Sequence, residues 1–410
     1  MINQFRDAMT DMPVSQKIEE IPEALSVYFN QLVYDLKRKQ HDIITLSLGE
    51  AFFEIPYFDF QRLDFNRGYH YSDTKGLPIL RDKITDYYRK QYRTSINSDN
   101  VIISAGSKII IFMCMQAILN PNDEVLIHEP AWLSYKEQAH IVGAKACFIP
   151  YFYDCKNFYK FITDKTKMMI LNNPNNPAGR TYSREELLNL YQLCRSRNIY
   201  LLVDEAYSDF VVDNSFISIG SLAQNLDGVI ITNSLSKNMG MSGWRIGYAI
   251  AEQKIISALV KLNQHLITCA PTILQQYIAE YFDDILSHTL IQIKDLLEKR
   301  KRIVRKIEEL GLYALPGSTT FYFFIKTDPY EGDIHELALH LLLEKGISVV
   351  PGSAYGMTTN NFFRISIGTE PEERINKALS VLQEVLLGPT INAFHVREKM
   401  LQLNLNEFSI

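Results

Sequence analysis

The chain has 410 residues, of which 47% are hydrophobic and 22% are charged, and its formal net charge is −5. This length exceeds what one simple core supports and indicates two or three domains. The mildly acidic balance gives no electrostatic reason to expect nucleic-acid binding, and no apolar run reaches the length of a membrane span. The first residues lack the pattern of a secretory signal, and the five cysteines form no CxxC pair. We therefore expect a cytoplasmic protein with reduced thiols and no metal site.

Short β-branched runs alternate with helical patterns between about residues 100 and 250. We predict seven strands there: Val101–Ser104, Glu124–His128, Lys145–Ile149, Lys167–Asn172, Tyr200–Asp204, Val229–Asn233 and Arg245–Ile250. Helical patterns lie between several of them, as in Lys108–Leu119 and Arg184–Arg197. This alternation predicts an α/β fold whose large domain contains a mainly parallel seven-stranded sheet flanked by helices.

The rest of the chain predicts a small α+β domain built from both chain ends. Residues 272–310 contain neither Pro nor Gly and predict one long helix that ends at Gly311. The elements predicted after it are a strand (Thr320–Lys326), a helix (Ile334–Lys345), two further strands (Ile347–Val350, Phe362–Ile367) and a final helix (Glu372–Leu387). We therefore predict an N-terminal arm and part of the small domain at 1–45, the large domain at 46–310, the small domain at 311–387 and an unassigned tail at 388–410.

A lysine follows the sixth predicted strand, within a string of fifteen residues that runs from Ser234 to Tyr248 and includes Ser236, Lys237 and Arg245. Burial lowers the pKa of a lysine and makes its amine nucleophilic towards carbonyl groups. The serines and the arginine could hold an anion. An isolated Ser-Lys pair would more often be a surface loop, but the whole string favours a reactive lysine.

Other polar side chains also follow predicted strands, where the ligands of parallel sheets bind. Asn176 lies in the Asn-Pro-x-Asn-Pro-x-Gly loop after Lys167–Asn172, a loop that could also be a simple turn. Asp204 ends a strand, and a buried carboxylate there needs a cation unless the residue is a helix N-cap. Trp132 could stack on a flat ring or belong to the core.

Two further features favour anion binding. Ala105-Gly106-Ser107-Lys108 joins a strand to a helix whose first amides could hold an anion. Arg364 alternates with apolar residues on a predicted strand, where it could bind a substrate carboxylate in bidentate fashion or pair with a structural acid.

Together these strings resemble the class I/II aminotransferases of the pyridoxal phosphate (PLP) fold-type I superfamily, to which aspartate aminotransferases belong, over roughly residues 45 to 387. The resemblance implies the PLP fold-type I architecture and a homodimer with shared active sites. It also implies transfer of an amino group between an L-amino acid and a 2-oxo acid, through Schiff-base, quinonoid and pyridoxamine phosphate intermediates.

The resemblance assigns roles residue by residue. Lys237 would carry the cofactor and move protons, Asp204 would pair with the pyridine nitrogen, and Tyr207 and Asn176 would hydrogen-bond the phenolic oxygen. The residues matched to the phosphate site and its surroundings are Gly106, Ser107, Lys108, Ser234, Ser236 and Arg245. Trp132 would stack on the ring, and Tyr71 would reach the neighbouring subunit's phosphate. Arg364 and Gly49 would contact the substrate, together with Asn176 and Trp132.

The sequence departs from the family pattern at two positions. Ala178 stands where Thr is usual, and Ala51 stands where Pro is frequent, which changes the loop on the substrate side. One alternative is a PLP-dependent C–S lyase, although such relatives often carry His where Ala206 and Tyr207 stand. Another is a non-catalytic PLP-binding regulator, although about 45 residues before the large domain are too few for a DNA-binding module.

Overall fold

A computed structural model describes residues 14–212 and 216–406 of the chain. Within these ranges the strands are β1 (Ile44–Thr45), β2 (Val101–Ser104), β3 (Glu124–His128), β4 (Lys145–Ile149), β5 (Thr166–Asn172), β6 (Tyr200–Asp204), β7 (Val229–Ser234), β8 (Gly247–Ala251), β9 (Tyr322–Lys326), β10 (Ile347–Ser348), β11 (Val350–Pro351) and β12 (Phe362–Ser366).

The α-helices are α1 (Gln16–Glu19), α2 (Leu25–Arg38), α3 (Phe65–Gly68), α4 (Pro78–Tyr92), α5 (Ser107–Ile118), α6 (Ser134–Ile141), α7 (Arg184–Ser196), α8 (Leu235–Asn238), α9 (Gln253–Leu266), α10 (Thr272–Glu280), α11 (Phe282–Glu309), α12 (Ile334–Lys345), α13 (Glu372–Leu386) and α14 (Ala393–Gln402). In the described part of the chain, no helix has both the length and the apolar composition that crossing a bilayer requires.

The central sheet has seven strands in the order β2-β8-β7-β6-β5-β3-β4. Strands β4, β3, β5, β6 and β7 are parallel, and β8 is antiparallel to both of its neighbours. Alternate residues pack on opposite faces: Met169 and Leu171 join one buried cluster, whereas Met168 and Ile170 join another. Because helices cover both faces, the strands are mostly apolar on both sides of the sheet. The predicted mainly parallel seven-stranded α/β sheet is confirmed.

Both ends of the chain contribute to a second layer. Strand β1 pairs in parallel with β10, and β11-β12-β9 form a separate antiparallel sheet. The prediction of one strand over Ile347–Val350 was wrong, because its two halves pair with different partners on either side of Val349. The domain boundaries at residues 45, 310 and 387 stay a prediction, and residues 1–13 of the predicted arm lie outside the described residues.

The prediction of one continuous helix over residues 272–310 was also wrong. Helices α10 and α11 are separated at Tyr281, whose backbone (φ −108°, ψ 21°) leaves the helical region. The Tyr281 hydroxyl donates to the Asp59 carbonyl at 2.7 Å, and its ring stacks on Phe58 with centroids 4.9 Å apart. These contacts come from a distant segment, so no local Pro or Gly marks the break.

The tail that had no assignment contains helix α14. Val396 and Met400 on this helix are each 2% exposed and join the same buried cluster as the apolar face of α12. The tail therefore completes the core of the second layer as far as residue 406, beyond which residues 407–410 lie outside the described ranges.

Candidate active site

A cavity of about 290 Å³ opens at the edge where the parallel strands of the central sheet end. Strands β5, β6 and β7 run in one direction, so the residues after their last positions meet at this edge. Twelve predicted residues line the cavity: Gly49, Ser107, Lys108, Trp132, Asn176, Asp204, Tyr207, Ser234, Ser236, Lys237, Arg245 and Arg364. Residues far apart in the sequence thus converge on one space.

Lys237 enters the cavity from α8, which begins directly after β7. Ser234 caps this short helix, because its hydroxyl accepts a hydrogen bond from the Ser236 amide at 3.2 Å. The Lys237 Nζ atom donates to the Gly49 carbonyl at 2.7 Å. Burial lowers the pKa of Lys237 to about 8. The amine is therefore deprotonated far more readily than that of a lysine in water, and can attack a carbonyl group.

Asp204 lies at the carboxyl end of β6 and is 6% exposed. One carboxylate oxygen accepts from the Tyr135 hydroxyl at 2.7 Å and the other from the Ala206 amide at 3.2 Å. Burial raises the pKa of Asp204 to about 6, although these hydrogen bonds oppose the shift. No lysine or arginine of the described chain forms an ion pair with it. A cation placed against Asp204 would offset the cost of burying its charge.

Tyr207 and Asn176 form a polar pair in the same cavity. The Asn176 Nδ2 atom donates to the Tyr207 hydroxyl at 3.4 Å, while the Asn176 backbone amide donates to the Asn172 side chain at 2.6 Å. Asn176 Oδ1 is buried and finds no hydrogen-bond partner within the described ranges. Burial raises the pKa of Tyr207 well above its usual value, so the phenol keeps its proton and can donate it in a hydrogen bond.

Gly106, Ser107, Ser234, Ser236 and Arg245 form a concave group that we call the anion cradle. Gly106 has φ +91°, and a Cβ atom there would lie 2.5 Å from an Arg245 guanidinium nitrogen. Arg245 donates to the Ser236 hydroxyl at 3.4 Å and is itself exposed to solvent. The twelve-residue helix α5 begins at Ser107 with its free amides and positive dipole end. The group therefore suits an anion of several oxygens, such as a phosphate.

Lys108 and Trp132 line the cavity next to the anion cradle. The Lys108 amine lies 5.2 Å from the centroid of the Trp132 ring, which meets Tyr135 edge-on at 5.3 Å. Burial, followed by the nearby Arg245 charge, lowers the pKa of Lys108. The half-buried Trp132 ring could cover one face of a flat ligand.

Arg364 lies on β12, where it is 3% exposed. It donates to the Ser47 carbonyl, and its guanidinium lies 4.9 Å from the Tyr322 ring centroid and 5.3 Å from that of Tyr355. Its Nε atom has no hydrogen-bond partner in the described residues, and no carboxylate there pairs with the side chain. The structural ion pair that was the alternative is therefore not seen, and a ligand carboxylate would satisfy the free donor.

Sequence reasoning missed several residues of the cavity. Tyr322, Glu50, Ser26 and Asn30 also line it, and Tyr135 holds Asp204 from behind. Their signals are weak, because Ser26 and Asn30 lie on an amphipathic helix and Tyr322 sits in an apolar run. Tyr71 is 86% exposed and does not line the cavity of its own chain. No group of three or more metal-ligating side chains was found in the described residues.

Comparisons with known proteins agree with this geometry. The sequence profile of the family "Aminotransferase class I and II" matches residues 42–382. An aspartate aminotransferase of Thermotoga maritima is 31% identical over 91% of this chain and 99% of its own length. A (5-formylfuran-3-yl)methyl phosphate transaminase of Methanocaldococcus jannaschii is 32% identical over 87% of this chain and 94% of its own.

Solved structures give the same result. The aspartate aminotransferase from Thermus thermophilus with maleate superposes with a TM-score of 0.84 at 27% identity, and covers 91% of this chain and 100% of its own. The residues matched by the family profile, 42–382, contain all strands from β1 to β12. The chain belongs to the class I and II aminotransferase family and is an aminotransferase.

Proposed function

We propose that the chain is a PLP-dependent aminotransferase in which Lys237 binds the cofactor covalently and Arg364 binds the α-carboxylate of the substrate. The observation that carries this proposal is the arrangement of three groups around one cavity. These groups are an amine of lowered pKa, a buried carboxylate without a cation and a concave anion cradle. PLP has a matching aldehyde, ring nitrogen and phosphate.

The residues present fit this cofactor. A Cβ atom at Gly106 would fill the anion cradle, so this position supports a close approach of backbone to phosphate. Asp204 would hold the protonated ring nitrogen, and its raised pKa indicates that such a partner is favourable. The Tyr207 hydroxyl and the Asn176 Nδ2 atom are hydrogen-bond donors that would bind the phenolic oxygen.

PLP supplies the electron sink that stabilises negative charge at the substrate Cα atom. The residues of the chain supply orientation and proton transfer. Arg364 binds the carboxylate of the amino donor and so orients it, with the bond between Cα and its hydrogen facing Lys237. Once the amine of the substrate has replaced it in the linkage to the cofactor, the freed Lys237 Nζ atom would take the proton from Cα and later give a proton to the cofactor carbon bonded to the transferred nitrogen. Trp132 and the small Ala206 side chain both line the cavity, and the cofactor ring would lie between them.

In this proposal the active enzyme is a cytoplasmic homodimer. Tyr71 is exposed and lines an open pocket of about 790 Å³ that is separate from the Lys237 cavity. A second copy of the chain would cover this pocket, and Tyr71 of each copy would reach the anion cradle of the other. Two sites, each completed by the partner, would then form.

The experiment is a screen of amino donors with the purified, cofactor-loaded protein. L-aspartate opens the panel, because relatives are named aspartate and aspartate/prephenate aminotransferases. Each donor is incubated with a 2-oxo acid, and the new amino acid is measured by chromatography. Transfer of the amino group supports the proposal. Pyruvate and ammonia from cystathionine, without transfer from any donor, would instead indicate the C–S lyase.

A further inference from the structure

Tyr322 contacts both the cofactor side and the substrate side of the cavity. It is the first residue of β9 and is fully buried. Its hydroxyl lies 3.0 Å from the Tyr207 hydroxyl, and the two rings meet edge-on with centroids 5.6 Å apart. The Arg364 guanidinium lies over the Tyr322 ring at 4.9 Å from its centroid. One side chain thus joins two residues with different proposed roles.

The position of Tyr322 is fixed by its backbone. Its carbonyl accepts a hydrogen bond from the buried Arg300, which also donates to the Gly317 carbonyl at 2.7 Å. Its amide donates to the Thr320 hydroxyl at 3.3 Å. A Cβ atom at Gly49 would lie 3.2 Å from the Tyr322 hydroxyl, so a side chain at position 49 would crowd the phenol.

Either phenol of the pair can be the donor, and the direction of the bond depends on where the Tyr207 hydrogen points. Each phenol has one hydrogen to donate. If the Tyr207 hydrogen points into the cavity, the hydrogen between the two oxygens must come from Tyr322. Burial raises the pKa values of both phenols, so both hydrogens are present at neutral pH. A phenol that accepts a hydrogen bond becomes a stronger donor in turn.

We propose that Tyr322 is a positioning residue for transamination: its hydroxyl donates to Tyr207 and directs the Tyr207 hydrogen into the cavity, while its ring supports the Arg364 guanidinium. This inference rests on the proposed function, in which the cavity-facing acceptor is the phenolic oxygen of PLP. The hydroxyl and the ring of Tyr322 affect two different measurable quantities, the protonation of the bound cofactor and the affinity for the substrate. The hydroxyl affects the cofactor through Tyr207, and the ring affects substrate binding through Arg364.

The test is a pH titration of the absorbance of the bound cofactor without substrate. The titration follows the loss of the proton from the linkage between Lys237 and the cofactor. In the deprotonated form the negative charge is localised on the phenolic oxygen, so a hydrogen bond from Tyr207 stabilises that form. Tyr322→Phe weakens that bond, so the midpoint should move upward by roughly 0.3 to 1 pH unit, the size of one net hydrogen bond. The KM for the amino donor should change less than twofold, whereas Tyr322→Leu, which also removes the ring, should raise KM about tenfold.

Two further variants separate positioning from a general effect. Tyr355→Phe removes the other hydroxyl beside Arg364, which has no bond to Tyr207, and should leave the midpoint unchanged. Tyr322→Phe should add no shift in a Tyr207→Phe background, because the Tyr322 hydroxyl then has no Tyr207 hydroxyl through which to act. The double variant lacks both hydroxyls, so neither is left buried without its partner. This double variant also guards against misfolding of the single one.

An unchanged midpoint in Tyr322→Phe would overturn the inference. So would an equal shift in Tyr355→Phe, or a shift that persists in the Tyr207→Phe background. Failure of the proposed function looks different, because the absorbance band of the bound cofactor would then be missing from the wild-type protein.

Discussion

The charge of Asp204 should destabilise the protein when no cofactor is bound. Burial raises the pKa of this carboxyl from 3.8 to about 6, so the folded chain holds the proton more tightly than the unfolded chain does. The free energy of unfolding should therefore fall as the pH rises from about 4 to about 6, and the loss persists at higher pH. A shift of about two pKa units corresponds to a loss of about 3 kcal/mol.

Asp204→Asn removes this titration and should flatten the pH dependence. The assay is urea unfolding of the cofactor-free protein at several pH values between 4 and 7.5. Relative to the wild type, the variant should gain about 2.4 kcal/mol between pH 4 and pH 7.5, because the unfolded carboxyl is already more than half deprotonated at pH 4. The comparison uses the change with pH, so any fixed cost of the asparagine amide cancels.

Asp82→Asn is the matched control, because it removes a carboxylate of the same size at an exposed position on α4. This control should keep the wild-type pH dependence. Curves for Asp204→Asn and the wild type that run parallel would refute the reasoning, since Asp204 would then titrate alike in the folded and unfolded chains. With the cofactor bound, the same substitution should lower kcat by roughly 100-fold or more, because it removes the charge proposed to hold the ring nitrogen.

Four other predictions concern binding and assembly. Lys237→Ala should abolish transamination but still bind PLP through the anion cradle, as equilibrium dialysis would show; sustained turnover would contradict the assignment. Because the pKa of Lys237 is lowered to about 8, the rate of covalent PLP capture by the cofactor-free protein should rise with pH and level off above about 8; a rise that continues past pH 10 would contradict it. Arg364→Ala should raise the KM for the amino donor roughly 10- to 150-fold through loss of about 1.5–3 kcal/mol, whereas Arg364→Lys should recover part of that loss; equal KM values for wild type and both variants would exclude a carboxylate site. Mixing the inactive Tyr71→Ala and Lys237→Ala chains and refolding them together should restore part of the activity, because one site of each hybrid dimer has both residues; activity no higher than in the separate variants would argue against a shared site.

The sequence predicted the cavity well wherever a polar residue follows a strand. Asp204, Lys237 and Asn176 are next to strands whose apolar runs are unmistakable, and parallel strands bring their carboxyl ends to one edge. Arg364 could be singled out because a charged residue among alternating apolar ones is unusual, and it lines the cavity, while its role stays a prediction. For these positions, local pattern and sheet topology carry enough information.

Long-range contacts account for what the sequence did not predict. Tyr322 lies 115 residues from Tyr207, and nothing in its apolar strand distinguishes it from a core residue. The break at Tyr281 depends on Asp59 and Phe58, which the chain brings near only after folding. Helix α14 was not predicted because its apolar face is narrow, with Val396 and Met400 as its buried residues. Each of these features depends on tertiary packing rather than local propensity.

The most direct test of the account is to locate the cofactor on the chain. The PLP-loaded protein is reduced with borohydride, which makes the linkage permanent, and its peptides are mapped by mass spectrometry. The account predicts a reduced pyridoxyl phosphate adduct on the peptide that contains Lys237. An adduct on Lys108 instead, or none on any lysine, would contradict the central claim.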